Sequence, residues 1–217
     1  MSIADTLDQT IHDPLISNHN PTSIQLHLIT RRKPIYYQDD ARLVAKIFEE
    51  LDGHIFTGSL LIDGDNDVNA IAAQSLIGVT IKSEVLPKSL TDRVATMRAV
   101  TTQITWEDFQ RRRETPMEKV VGERCCVLSE LEFVTGELLF LEFNEVALGA
   151  MGERSVLQHL FSRPSLFCRT LEGGYSVWNT AHIVSWSHYP KLDTPPSAWS
   201  AKSVARPAPT HLPLNML

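Results

Sequence analysis

The sequence predicts an α+β fold built from two small β-rich modules of the strand-helix-hairpin type, related by internal duplication. Two stretches, residues 43–79 and 156–186, share one order of features. Each has an apolar helical stripe ending in Phe, then a Gly-bearing turn, an Asn and a closing apolar strand, which is typical of a repeated unit. Elsewhere many apolar residues alternate with polar ones at the strand period of two. A hydrophobic content of 43% is enough for a core.

The first module is predicted to span residues 23–86, after a polar segment, residues 1–22, that predicts a flexible N-terminal arm. Alternation over residues 24–28 predicts a strand with one buried face. Asp39-Asp40 offers an N-cap for a helix along residues 43–51, whose apolar spacing forms one stripe. The remaining strands are predicted over residues 55–62 and 76–81, on either side of a turn-forming run.

The segment 87–122 is predicted to be a helical linker, because it is more charged and poorer in strand formers. Thr105 and Asp108 resemble a capping box and predict a helix to about residue 114. The arginines Arg111, Arg112 and Arg113 then complement the C-terminal end of that helix dipole.

The second module is predicted to span residues 123–189 and to begin with a hairpin. Its strands, residues 127–134 and 138–143, are joined through Thr135-Gly136. The glutamates in these strands predict an acidic face in water. The Pro-rich segment 190–217 predicts a disordered tail, because it has too few apolar groups to offset its ordering entropy.

Charge and cysteine content limit the possible partners and compartments. With 20 basic and 26 acidic residues the net charge is −6, so no global positive field attracts nucleic acid or an anionic membrane. Three cysteines, two of them adjacent, cannot form a disulfide framework. No apolar run approaches the length of a membrane span. These observations predict a cytoplasmic protein that does not bind membranes.

The sequence contains residue types used in metal and catalytic sites, but their spacing does not match a complete site motif. Asp63, Asp65 and Asp67 suit the start of a calcium loop, but Val68 and Gln74 stand where Gly and Glu are required. A thiol enzyme would need Cys125 or Cys126 beside a histidine base, His159 or His182. Phosphate-binding glycine loops and paired zinc ligands are absent from the sequence. We therefore predict no catalytic residue, no metal and no cofactor.

Aromatic residues are dense near the end of the second module. They are Tyr175, Trp178, Trp186, Tyr189 and, in the tail, Trp199. Such residues form either a hydrophobic core or a binding hot spot. In the sequence alignment of the two stretches Val68 stands opposite Trp178, and this size change counts toward a binding surface or a contact between the repeats, while core packing stays the favoured interpretation.

A loop of the first module combines cations with aromatic rings. Arg31, Arg32 and Lys33 are followed closely by Tyr36 and Tyr37. This combination is suited to stacking on bases or to binding an anion, but the net charge of −6 favours a solvated loop.

The favoured function is therefore a non-enzymatic adaptor or regulatory protein that binds another protein through the aromatic second module or the Pro-rich tail. The alternative is a nucleic-acid or anionic-ligand binding protein that uses the basic loop, and an enzyme of unknown type is a third possibility. A homo-oligomer is compatible with each of them.

Overall fold

The computed structural model describes residues 23–30, 35–38, 56–63, 67–82, 100–115 and 119–198, with the backbone alone for 35–38, 63 and 100. These residues form a mixed α+β fold. The strands and helices are β1 Ser23–Leu28, β2 Ile35–Gln38, β3 Ser59–Asp63, β4 Val68–Ala72, β5 Leu76–Lys82, β6 Val100–Gln103, α1 Trp106–Arg113, β7 Arg124–Phe133, β8 Leu138–Val146, α2 Ala150–Gln158, β9 Ser165–Arg169, β10 Tyr175–Asn179 and β11 Ile183–Tyr189.

Nine of the strands form one sheet in the order β11-β7-β8-β6-β9-β10-β5-β1-β2, and β3 and β4 form a separate hairpin. Strands from both predicted modules therefore share a sheet, joined where β10 pairs antiparallel with β5. The segment predicted as a linker supplies β6, which lies between β8 and β9. It also supplies α1, whose prediction is confirmed: Thr105 Oγ1 accepts a hydrogen bond from the Asp108 backbone N–H at 3.1 Å.

The strands before and after β6 follow the same order and the same pairing. In each half a first hairpin, β1–β2 or β7–β8, is followed by a second, β3–β4 or β9–β10. A short 3-10 helix, Ala73–Ser75 or Thr180–His182, then leads to a last strand that pairs antiparallel with the first. The pairing of this last strand skips one residue at the same point, Ile77 in β5 and Val184 in β11.

Hydrogen bonds outside the strands match in the same way. The Ile29 N–H donates to the Ser75 carbonyl at 3.0 Å, and the Val134 N–H donates to the His182 carbonyl at 2.9 Å. His182 is therefore the counterpart of Ser75. The same comparison makes Trp178 the counterpart of Ile71, because each is the second-last residue of its strand.

The sequence alignment, which placed Val68 opposite Trp178, is wrong at this position. It matched the asparagines Asn69 and Asn179, which occupy different places in their strands.

Two predictions of a water-facing strand surface are also wrong. Every residue of β1 from Ile24 onward is buried, and the ring of His27 lies 4.9 Å from that of Trp178, across β5. Glu130 in β7 is buried as well. The reason is that α1 packs on that face of the β7–β8 hairpin, with Phe109 against Phe140 at 4.9 Å. Both faces of the sheet are therefore covered here.

The start of the predicted disordered tail is packed against the fold. Leu192 is buried, and the Asp193 backbone N–H donates to Glu153 of α2 at 2.6 Å. Glu153 is itself buried and forms an ion pair with Lys119. The predicted N-terminal arm, the predicted helix over residues 43–51 and the tail beyond residue 198 lie outside the described residues. None of the helices in the described ranges has both the length and the hydropathy needed to cross a bilayer.

Candidate partner-binding edge

The strand β11 ends the nine-stranded sheet. It pairs with β7 along one side, and no described strand pairs with its other side. An end strand presents N–H and C=O groups to which a further strand can bind. Val184, at the bulge, is 61% exposed. The outer side of β11, with Val184 and residues 185–188, is called the β11 edge below.

Aromatic side chains pack around Trp186 next to this edge. Trp186 is half-buried, and its ring lies 6.4 Å from Phe143 and 6.2 Å from Phe161. The ring of His188 stacks on Trp186 at 5.7 Å. Two buried atoms, Trp186 Nε1 and His188 Nε2, have no hydrogen-bond partner in the described ranges. Unpaired buried polar groups are costly, so hydrogen-bonding capacity remains unused beside the edge.

His188 is nevertheless held on its other side. Its Nδ1 shares a hydrogen bond with Ser129 Oγ at 2.9 Å. Burial lowers the pKa of His188 to about 4, so that the imidazole is neutral at pH 7. Beyond it, Tyr189 packs edge-on against Phe109 at 5.6 Å and lies under the Arg113 guanidinium at 4.5 Å.

The other predicted partner-binding aromatics lie elsewhere. Trp178 is only 2% exposed, and its Nε1–H donates to Cys168 Sγ at 3.3 Å. Tyr175 is also buried and stacks on Phe167 at 5.1 Å. These two side chains belong to the core, which corrects their assignment to a partner-binding surface. Trp199 lies outside the described residues.

The basic loop cannot be placed in the same way. Arg31, Arg32 and Lys33 lie outside the described residues, and Tyr36 and Tyr37 are described only as backbone of the end strand β2. The anion-binding hypothesis stays a prediction.

The thiols and histidines of the enzyme hypothesis have other partners. Cys126 Sγ contacts Arg112 and Glu142, and burial raises the pKa of its thiol to about 11. The two histidines donate to backbone carbonyls instead, His159 to Ser155 at 2.8 Å and His182 to Gln74 at 2.6 Å. The required pairing of a thiolate with a histidine base is therefore not formed by these residues.

Metal-ligating side chains likewise do not converge in the described ranges, where no group of three or more His, Cys, Asp or Glu residues could hold a metal ion. Asp67 instead accepts a hydrogen bond from the Asn69 side chain at 3.0 Å. Asp65 lies outside the described residues, and Asp63 is described only as part of β3.

The linker arginines have separate partners on α1 and the sheet. Arg111 pairs with Asp108, and Arg112 binds both carboxylate oxygens of Glu142, at 2.7 and 2.9 Å. This bidentate pair lowers the pKa of Glu142 below its ordinary value, and the hydrogen bond to Glu142 raises the pKa of Arg112. The cluster thus fastens α1 to β8.

We expect Arg112→Met to lower the free energy of unfolding at pH 7 by about 1–3 kcal/mol, because a hydrogen-bonded charge partner is removed from a half-buried carboxylate. The contribution of the pair is present above the unfolded pKa of Glu142 and is lost as the pH falls through its lower folded pKa. Urea unfolding at pH 7 and at acid pH measures this loss. Exposed Arg111→Met is the control, and equal effects of both variants at pH 7 would contradict the assignment.

Sequence reasoning missed the strand edges. The outer side of β4 is unpaired among the described strands, and Val68 on it is 66% exposed. The available signal lay in comparing the two similar stretches, because matching their strand orders places β4 opposite β10 and β11 opposite β5.

Comparison with models of protein families, with curated proteins and with solved structures found no match.

Proposed function

We propose that this protein is a non-enzymatic adaptor or regulatory protein that binds a protein partner by strand addition at the β11 edge. The observation that carries this proposal is a seven-residue end strand whose outer side pairs with no described strand, with exposed Val184 beside half-buried aromatic rings. Backbone hydrogen bonds would supply affinity, and the side chains of Val184 and its neighbours would supply specificity.

The composition of β11 supports this proposal. Natural end strands are usually protected against pairing by Lys, Pro or other charged residues. The sequence of β11, IVSWSHY, contains no proline and no residue with a permanent charge. Its one titratable base, His188, is neutral at pH 7. Apart from the bulge at Val184, β11 therefore carries neither the proline nor the permanent charge that commonly prevents strand addition.

We further propose that the chain arose by internal duplication of a five-stranded unit. The matching strand order, pairing and skipped residues of the two halves support this proposal. The helix predicted before β3 would correspond to α2, which precedes β9.

We expect Val184→Lys to abolish co-purification of the partner, because a charge at the bulge would have to be desolvated within the new strand pair. The partner set is measured by native co-purification and mass spectrometry, followed by titration calorimetry with the identified protein. Val121→Lys is the matched control, since Val121 lies in a loop before β7 and is 67% exposed. Equal partner recovery with both variants would contradict the proposal.

A further inference from the structure

The two halves of the chain meet at one strand pair. In this junction β10 lies antiparallel to β5, with Tyr175 opposite Ile81 and Trp178 opposite Gly78. The fourth strand of one unit is therefore added to the last strand of the other. The contact is directional, because β4 makes no corresponding pair with β11 in the described structure.

In the two halves β4 is the counterpart of β10, and β11 is the counterpart of β5. Positions that are buried in β10 and β5 are exposed in β4 and at Val184 of β11. Every residue of β10 is buried, whereas β4 is exposed except for half-buried Ile71. Ile77 of β5 is 1% exposed and packs in the core of the other half, whereas its counterpart Val184 is 61% exposed. Each half therefore has one strand edge used in the junction and one edge with which no described strand pairs.

We propose that a second copy of this chain adds its β4 to the β11 edge, so that the β10–β5 junction is repeated between molecules. This inference rests on the proposed function, since it names the occupant of that edge. Transfer of the junction register places Val68 of one molecule opposite His188 of the other, and Ile71 opposite Ser185.

The side chains in this register are compatible in size. Within the junction, a Cβ atom at Gly78 would lie 2.3 Å from the Trp178 ring, so the large indole requires glycine opposite. In the proposed pair the smaller Ile71 faces Ser185, and Ala70 faces Trp186. Large and small residues thus alternate across the strands, as close packing requires.

The polar position of the junction is repeated as well. Thr80 and Ser176 share a hydrogen bond between their hydroxyls at 2.7 Å. Their counterparts are Ser187 and Asn69, which also carry one hydroxyl and one polar group. Asn69 is exposed, and its amide donates to the side chain of nearby Asp67 at 3.0 Å. No ionised side chain of β4 or β11 would have to be buried by the pairing.

Contacts between molecules are expected to be weaker than those of the junction. In the junction, Asn179 Nδ2 donates to the Leu76 carbonyl at 3.2 Å, and His182 Nε2 donates to the Gln74 carbonyl at 2.6 Å. The counterpart of Asn179 is Ala72, which has no side-chain donor. Association between copies is therefore reversible and depends on concentration.

The interface is of the head-to-tail type, because two different edges meet. Each molecule offers one β4 edge and one β11 edge, so two copies are the smallest assembly in which every edge is used.

Sedimentation velocity of the full chain over a dilution series tests the inference. We expect the wild type to pass from monomer to oligomer as concentration rises. Val68→Lys and Val184→Lys should each raise the concentration at which half of the protein is associated at least tenfold, because each places a charge in the strand pair. Val121→Lys should leave it unchanged. Association that is insensitive to both edge variants overturns the inference.

The register is tested by disulfide trapping between two differently tagged variants. Asn69→Cys mixed with Ser187→Cys brings the new thiols directly opposite each other, whereas Asn69→Cys mixed with exposed Val184→Cys places them out of register. We expect mixed disulfide dimers to form several-fold faster in the first mixture. Equal rates in the two mixtures overturn the proposed register, and the native cysteines contribute equally to both.

These results also separate the inference from the proposed function. If the wild type is monomeric at every concentration while Val184→Lys still loses its partner, the second copy is excluded and the β11 edge remains the binding site. If the wild type is monomeric and Val184→Lys keeps its whole partner set, both proposals fail.

Discussion

Replacing Gly78 with Ser is expected to destabilise the fold severely. A Cβ atom at this position would lie 2.3 Å from Cε3 of Trp178, which is closer than any real contact. The indole cannot move away easily, because it is 2% exposed and packs between Phe133 at 5.2 Å and His27 at 4.9 Å. Overpacking a core costs about 1–3 kcal/mol and occasionally more, and we expect the upper end here. Urea unfolding measures the loss.

A second substitution should relieve this strain. Trp178→Ile alone leaves a cavity and is expected to cost about 2–4 kcal/mol, in the range of large-to-small core changes. The double variant, Gly78→Ser with Trp178→Ile, pairs Ser with Ile across the junction. Ser185 and Ile71 form the same pair in the proposed contact between molecules. We expect it to be more stable than the sum of the single effects by about 1–3 kcal/mol, as is typical of residues in contact.

The control for these variants is Gly149→Ser. A Cβ atom there meets nothing within 4 Å, and Gly149 occupies the N-cap of α2, where Ser is a favoured residue. We expect a change of no more than about 1 kcal/mol. Strictly additive effects at Gly78 and Trp178 would contradict the steric origin of the destabilisation.

Elements with a local signal could be predicted from the sequence. The β7–β8 hairpin is marked by alternation and by Gly136, which adopts a φ of 81° in the turn, and α1 is marked by its Thr105 cap. By contrast, β6 is a four-residue strand, Val100–Gln103, with only one apolar residue. It is held by β8 and β9 on its two sides, and such pairing between distant segments leaves no local pattern.

The candidate site was predictable only in part for the same reason. Whether an aromatic residue is core or surface depends on what lies opposite, and Trp178 is buried because distant Gly78 makes room for its ring. The composition of β11 shows that it lacks protecting charges, but its position at the end of the described strands follows from the strand order of the sheet. The exposed β4 is identified as the counterpart of β10 only when the pairing registers of the two halves are compared.

The free energy of unfolding is expected to fall steeply between pH 6.5 and pH 4. Burial lowers the pKa of both His27 and His188 from 6.5 to about 4, with the charge of Lys82 as a smaller cause for His27. In this interval the unfolded chain binds a proton at each histidine and the folded chain does not. Stability is therefore lost as the pH falls through this window and levels off near the folded pKa.

The size of this effect follows from the linkage relation. Each histidine contributes a slope of about 1.4 kcal/mol for each pH unit while only the unfolded state is protonated. Across the window this amounts to roughly 3 kcal/mol for buried His27, and to less for His188, which retains more contact with water. Such a loss is a large fraction of the stability of a typical domain.

His27→Gln separates the proton effect from packing. The imidazole Nε2 bonds to Thr80 Oγ1 at 2.9 Å, and a glutamine amide can also bond to this hydroxyl without titrating. Loss of the ring contact with Trp178 should lower stability by about 1 kcal/mol at pH 7. The slope between pH 6.5 and pH 4 should nevertheless become shallower. Equal slopes for the wild type and His27→Gln would show that the acid sensitivity comes from other groups, because only a titrating imidazole changes the number of protons bound on unfolding.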